Sequence, residues 1–230
     1  MAHRFRLQDP ERVQLWCMLA LTFSTGIIDA AGYLGLDRVF TGNMTGNVVI
    51  LGMGLAGADD LPIVGPIVAL TAFMVGAAFA GRLGRVRGPG WSGRTSFLLL
   101  LVTVVLLLAA ALGVARDHVS LIDHNAVTAL LGLAMGVQAG AARAVGAKDV
   151  TTVVVTSTLV GLVYDSRFAA ANEHPWIRRL LSVALIGAGA WTGAHLLALH
   201  FSWSVLLSAV ITGLVVAVGE AHRRSHVLQT

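Results

Sequence analysis

The stretch Asp37-Arg38-Val39-Phe40-Thr41-Gly42-Asn43-Met44-Thr45-Gly46-Asn47 carries two Thr-Gly-Asn units and leads straight into an apolar run that ends near residue 57. These residue types belong to caps and turns, not to the middle of a membrane span. Glycine permits the turn, and Thr or Asn side chains satisfy the first backbone N–H groups of a helix beginning near Thr45 or Gly46. The run from 44 to 57 is itself too short to cross ~30 Å of hydrocarbon, which takes ~20 residues. Residues 37 to 44 are therefore expected to descend into the membrane as extended chain and 46 to 57 to return as a half-helix.

Around this stretch the chain is strongly apolar. Of 230 residues, 56% are hydrophobic and 12% charged, with a mean hydropathy of +0.79, whereas globular proteins carry roughly 25% charged residues. Apolar segments run at about 13 to 34, 44 to 57, 62 to 81, 95 to 115, 125 to 145, 150 to 164, 180 to 199 and 202 to 219. The second and sixth are the short ones. The basic N-terminus (His3, Arg4, Arg6, Arg12) leads into an apolar stretch longer than a signal-peptide core of roughly 7 to 15 residues, so it reads as a retained first span. The net charge of +4 does not point to nucleic acid, because the arginines lie between apolar runs, where cytoplasmic loops collect them. Cys17 is the single cysteine, which excludes intrachain disulfides and cysteine-based zinc sites.

The 16 lysines and arginines decide how many segments cross. If all eight cross with the N-terminus inside, Arg38, Arg82, Arg85, Arg87, Arg94, Arg143 and Lys148 fall outside, a split of nine to seven with no bias. If the two short segments enter and leave on one face, only Arg38 and Arg116 remain outside. The second arrangement is expected: an all-α membrane protein of six transmembrane helices and two short re-entrant half-helices, multi-pass in the bacterial cytoplasmic (inner) membrane, both termini cytoplasmic. Three crossings per half invert the second half, giving a 3+3 inverted repeat within one membrane domain (1–230; repeat 1 about 13–115, repeat 2 about 125–219). Spacing agrees: Thr22, Gly26 and Ala30 align with Gly132, Gly136 and Gly140, Thr45-Gly46-Asn47 with Thr156-Ser157-Thr158, and Gly76 with Gly189. The small-residue faces Gly132/Gly136/Gly140 and Gly189/Gly193 suit close helix packing within the chain or a homodimer contact. Trp16, Trp176 and Trp203 lie near span ends, as interfacial anchors do.

Asp29 sits about five residues from the outer end of the first span, ~8 Å deep at 1.5 Å per residue. An ionisable residue at that depth is a functional-site candidate, its alternative role being to tie helices together. The pattern Gly26 to Asp29 followed by Phe40 to Asn47, with Thr45-Gly46-Asn47 at its centre, resembles the YoaK-like bacterial membrane proteins. Gly136, Gln138 and the Thr-rich stretch Thr151 to Thr158 look like that family's second half. The resemblance covers nearly the whole chain, implies a membrane location, and assigns no substrate.

From the residues themselves, the expected function is that of a small secondary transporter of a small solute, proton- or cation-coupled, with its site near the midplane where the repeats meet. Asp29 would bind the coupling proton or cation. Thr41, Asn43, Thr45 and Asn47, with Gln138, Thr156 and Thr158 opposite, would form the polar wall, and Arg143 is a candidate charge partner unless it snorkels to water. Asp117-His118 and Asp123-His124 offer metal-ligand types without a diagnostic spacing, and a lone His195 within a span is ordinarily satisfied by a neighbour. No cofactor, metal or nucleic acid is implied, and no nucleophile stands beside a base, which argues against an enzyme. The competing readings are a channel using the same polar residues and a membrane scaffold. In a Cys17-free background, cysteine at Asp59 should react with an impermeant thiol reagent from outside and cysteine at Gly88 should not; the reverse pattern would overturn the six-span topology.

Overall fold

Eight α-helices make up the described part of the chain, residues 10–84, 90–114, 121–146, 155–164 and 176–227 of the computed structural model. They are α1 (Pro10–Gly35), α2 (Met44–Leu55), α3 (Val64–Leu83), α4 (Gly93–Val114), α5 (Leu121–Val145), α6 (Val155–Tyr164), α7 (Trp176–Leu199) and α8 (Phe201–Val227). There is no strand among the described residues. Six helices are long and apolar enough to cross a membrane, while α2 and α6 have only 12 and 10 residues. The elements match the apolar segments closely. The clearest difference is at the end of α8, which runs past the apolar stretch because Glu220 pairs with Arg223 and Arg224 one turn on, the spacing at which opposite charges support a helix. Arg85, Arg87, Arg116, Asp117, His118 and Lys148 lie outside the described residues, as do residues 151–154 of the Thr-rich stretch.

Local chemistry sets the helix starts. Asn43 caps α2, its Oδ1 accepting from the Gly46 N–H at 3.3 Å. Ahead of α4, Ser92 Oγ accepts from the Thr95 N–H and Thr95 Oγ1 accepts from the Ser92 N–H, a reciprocal arrangement that pairs two otherwise orphaned donors. Between α7 and α8 a single residue, His200, makes the turn, and its ring nitrogen accepts from the Ser202 N–H.

α1 is the most buried span, with 72% of its most apolar window inside the protein. Its main partner is α7, and the main partner of α5 is α3. The remaining contacts pair off likewise: α1 also packs on α8 as α5 does on α4, and α2 lies on α3 as α6 lies on α7. Glycines set the two closest approaches. Gly26 faces the Ile186 carbonyl and the Ala190 N–H, and Gly189 faces the Phe23 carbonyl. In the other pair Gly136 faces the Phe73 carbonyl and the Ala77 N–H, and Gly76 faces the Leu133 carbonyl. Serines on α8 add cross-helix bonds, from Ser202 to the Ala110 carbonyl, Ser204 to Gly193 and Ser208 to Ser24. Hydrocarbon gives helices no hydrophobic reason to associate, so such backbone approaches and hydroxyl bonds carry the packing.

Of the two readings of the small-residue faces, these contacts favour packing within the chain. The faces Gly132/Gly136/Gly140 and Gly189/Gly193 are used inside the chain, against α3 and α1 respectively, so they are not open for a homodimer. Trp16, Trp176 and Trp203 are more than half exposed near helix ends, where interfacial anchors belong. A methyl group at Gly136 or Gly189 would overlap backbone that has no side-chain freedom to yield. Gly136→Ala and Gly189→Ala should each cost ~1–3 kcal/mol, the usual range for overpacking, read as a lower melting temperature in detergent. At Gly187 nothing lies within 4 Å of the added carbon, so Gly187→Ala should be neutral or stabilising by up to ~1 kcal/mol.

Candidate functional site

The chain leaving α1 does not continue away from it but folds back along it. Asp37 and Arg38 have positive φ angles of 57° and 58°, conformations uncommon for residues with a side chain, and they reverse the direction. The Val39 carbonyl then lies beside Gly32, Thr41 beside Asp29, and Gly42 against Thr25. From Met44, α2 runs back the other way, and the Arg38 guanidinium donates to the Asp60 carbonyl at 2.9 Å. The two ends of the excursion therefore meet.

Three side chains hold this loop. Asp29 Oδ1 accepts from the N–H groups of Thr41, Gly42 and Asn43 at 3.0, 2.6 and 3.3 Å. A hydrogen bond contributes about 0.5–1.5 kcal/mol net, so three on this one oxygen fix the loop against α1. Asn47, fully buried, turns both ends of its amide to Phe40: Oδ1 accepts from the Phe40 N–H at 2.9 Å and Nδ2 donates to the Phe40 carbonyl at 2.6 Å, with a further contact from Nδ2 to the Met44 sulfur at 3.7 Å. Asn43 supplies the helix cap. The Thr-Gly-Asn repeat is thus chiefly a device for satisfying backbone, which the sequence reading assigned in part to a solute.

Beside the loop lies a cavity of about 500 Å³ lined from several elements. Among the expected site residues it gathers Asp29, Asn43, Thr45 and, from α6, Thr156. Thr41 and Asn47 are fully buried next to it and Thr158 is buried on α6, none of them lining it. Gln138 is fully buried behind the wall, its Nε2 donating to Thr25 Oγ1 at 3.0 Å and reaching the Leu21 carbonyl at 3.5 Å. Its Oε1 has no partner among the described residues. Arg143 is exposed in the last turn of α5 and does not line the cavity. His195 is held by the Trp191 carbonyl one turn earlier and by that ring. Among the described residues no cluster of His, Cys, Asp or Glu is suited to a metal ion.

Sequence reasoning missed Thr25, Tyr33 and Phe40. All three line the cavity, and the Tyr33 and Phe40 rings stack at 4.7 Å with 27° between planes. A signal for two of them was present: Thr25, Asp29 and Tyr33 are spaced four apart and so share one face of α1. Asn47→Ala leaves the part-buried Phe40 N–H and carbonyl without their side-chain partner, at up to about 1–3 kcal/mol for each orphaned group, whereas Asn43→Ala loses one cap worth ~1 kcal/mol. Melting in detergent should therefore fall further for Asn47→Ala than for Asn43→Ala; equal losses would mean that the Phe40 latch contributes nothing.

The comparisons with known proteins agree with the sequence resemblance. The family described as Protein of unknown function (DUF1275) matches residues 17–218. The UPF0700 transmembrane protein YoaK of Bacillus subtilis (strain 168) is 32% identical over 187 residues, covering 78% of this chain and 81% of that protein. No solved structure matches. With the match running from α1 into α8 and so taking in both the loop and the cavity, the chain belongs to the DUF1275 family of membrane proteins, which includes YoaK.

Proposed function

We propose that this chain is a small secondary transporter that moves a small solute across the cytoplasmic membrane, with Asp29 as the coupling site for a proton or cation. The observation that carries the reading is the cavity in which Asp29, Asn43 and Thr45 meet Thr156 of α6. The first residues of both short helices, α2 and α6, lie at this one space. Broken helices whose ends converge on a cavity are how many transporters place a solute near the midplane.

The topology proposed with it has six spans, both termini cytoplasmic, and α2 and α6 as re-entrant half-helices. In its favour, the Arg38–Asp60 contact joins the two ends of the first excursion, and only this arrangement gathers the lysines and arginines on one side. The halves are read as an inverted repeat. Support comes from the glycines: Gly26 meets Ile186 and Ala190 as Gly136 meets Phe73 and Ala77, and Gly189 meets Phe23 as Gly76 meets Leu133. Thr45 and Thr156, aligned in the sequence, both line the cavity. Alternating access would then be a rocking of the packed pairs around a fixed site. No catalytic chemistry is proposed.

Asp29→Asn tests the coupling with little structural cost, because an asparagine Oδ1 still accepts the three loop N–H bonds. In proteoliposomes, with a solute found by screening the purified protein for thermal stabilisation, wild type should accumulate the solute against a gradient and show counterflow. Asp29→Asn should lose accumulation at least tenfold while keeping its melting temperature. Unchanged accumulation in the variant would remove Asp29 from the mechanism, and flux without counterflow would identify a channel.

A further inference from the structure

We infer that the ligand of the Asp29 cavity is a small organic ammonium ion, its nitrogen on Asp29 Oδ2 and its carbons against the Tyr33–Phe40 stack. The inference deepens the transporter reading and rests on it for movement of the ligand, while binding stands as a separate question.

Charge is the first reason. Among the described residues lining the cavity, Asp29 is the one carboxylate, Tyr33 is the other titratable group, and there is no Lys, Arg or His. An anion entering it would meet a carboxylate with no side-chain cation to offset the repulsion. Helix N-termini ordinarily favour anions, each with about half an elementary charge. Of the amides that would do so at α2, all but that of Thr45 are already used. Those of Thr41, Gly42 and Asn43 bond Asp29, Met44 bonds the Gly42 carbonyl, Gly46 the Asn43 side chain, and Asn47 the Asn43 carbonyl. The partial charge left at Thr45 and at the start of α6 is smaller than the full charge of an ionised Asp29.

Geometry is the second reason. Asp29 spends Oδ1 on three N–H groups, whereas Oδ2 accepts no hydrogen bond from the described residues. A carboxylate oxygen facing a cavity without a donor is matched by a ligand that brings N–H groups or a positive charge. Next to it the stacked rings of Tyr33 and Phe40 offer π-faces, which attract ammonium groups within ~6 Å, and Val49, Ile50 and Ile186 complete an apolar wall. A bare metal ion would leave most of a ~500 Å³ space unfilled, since a water occupies only about 30 Å³ of liquid volume. Aromatic faces, an apolar wall and one free carboxylate oxygen together describe an alkylammonium ion.

The same oxygen provides the coupling. Oδ2 holds either a proton or the ammonium contact, so arrival of the cation breaks the Oδ2–H bond and sends that proton to water, and net charge in the cavity is conserved. Organic cation and proton would then exchange on one carboxylate.

The test uses the purified full-length chain in detergent, with ethylammonium, tetramethylammonium, acetate and urea as calorimetric probes. Wild type should bind the two ammonium probes saturably, release protons into a weakly buffered medium as it does so, and show no binding of acetate or urea. Asp29→Asn should weaken ammonium binding at least tenfold, and Tyr33→Leu should weaken tetramethylammonium about two- to fivefold, the factor of an ordinary cation–π contact. Acetate or urea binding in preference to the ammonium probes would overturn the inference without recourse to any variant, as would ammonium binding that Asp29→Asn leaves intact. If the ammonium probes bind as expected but proteoliposomes neither accumulate nor exchange them, the ligand class stands and the transporter reading falls. If a neutral or anionic solute is accumulated while the ammonium probes do not bind, transport stands and the ligand class falls.

Discussion

The non-helical stretch between α1 and α2 is packed against α1, so its backbone N–H and carbonyl groups must find partners within the protein, and the architecture of the site follows from how they do. Buried peptide groups without partners cost free energy on the scale of a lost hydrogen bond. Asp29 supplies an acceptor to three successive amides, Asn43 to a fourth, and Asn47 pairs with both groups of Phe40. Remove that set and the loop has no reason to lie along α1. Without the loop, α2 would not start beside Asp29 and the cavity would have no wall on that side.

Much of this was legible in the residue pattern. Hydropathy alone located the six long helices and two short ones, because ~20 apolar residues in a row have few alternatives. Asp29 stood out for its depth in an apolar run, and Thr-Gly-Asn for being turn chemistry where a span would otherwise begin. What the pattern could not convey was the division of labour. Asn43, Asn47 and Thr41 carry the same polar groups whether they face a solute or a backbone, and only their placement shows that Asn47 turns its amide to the Phe40 backbone. Gln138 illustrates the same difficulty. Its position next to the counterpart of Asp29 suggested the wall of a site, yet it lies one side chain behind that wall, on Thr25. The pairing of Tyr33 with Phe40 was hidden for the opposite reason: Tyr33 shares the Asp29 face of α1, but an aromatic residue in a membrane span is ordinary and its partner lies across a reversal of the chain.

The glycines show a further separation between motif and role. Small residues spaced four apart announce a close contact but not with whom. The backbone neighbours of Gly26, Gly76, Gly136 and Gly189 resolve this in favour of contacts within the chain, α1 and α3 of the first half pressed against α7 and α5 of the second. A cavity formed at such a junction borrows its walls from both halves, which is how Thr156 comes to stand in the same space as Thr45.

This interlocking has a consequence for biogenesis. Proteins emerge from the ribosome N-terminus first, at ~5–20 residues per second, and Gly26 must wait for Gly189, about 160 residues downstream, before its close contact exists. For roughly 8 to 32 s at those rates, α1 occupies the membrane with the groove at Gly26 unmatched by α7. The α5–α3 pair has no such delay, since Gly76 precedes Gly136 by only about 60 residues, or some 3 to 12 s of synthesis. Assembly is thus ordered by translation: the pair centred on α3 and α5 closes first, and the first helix made is among the last to be seated.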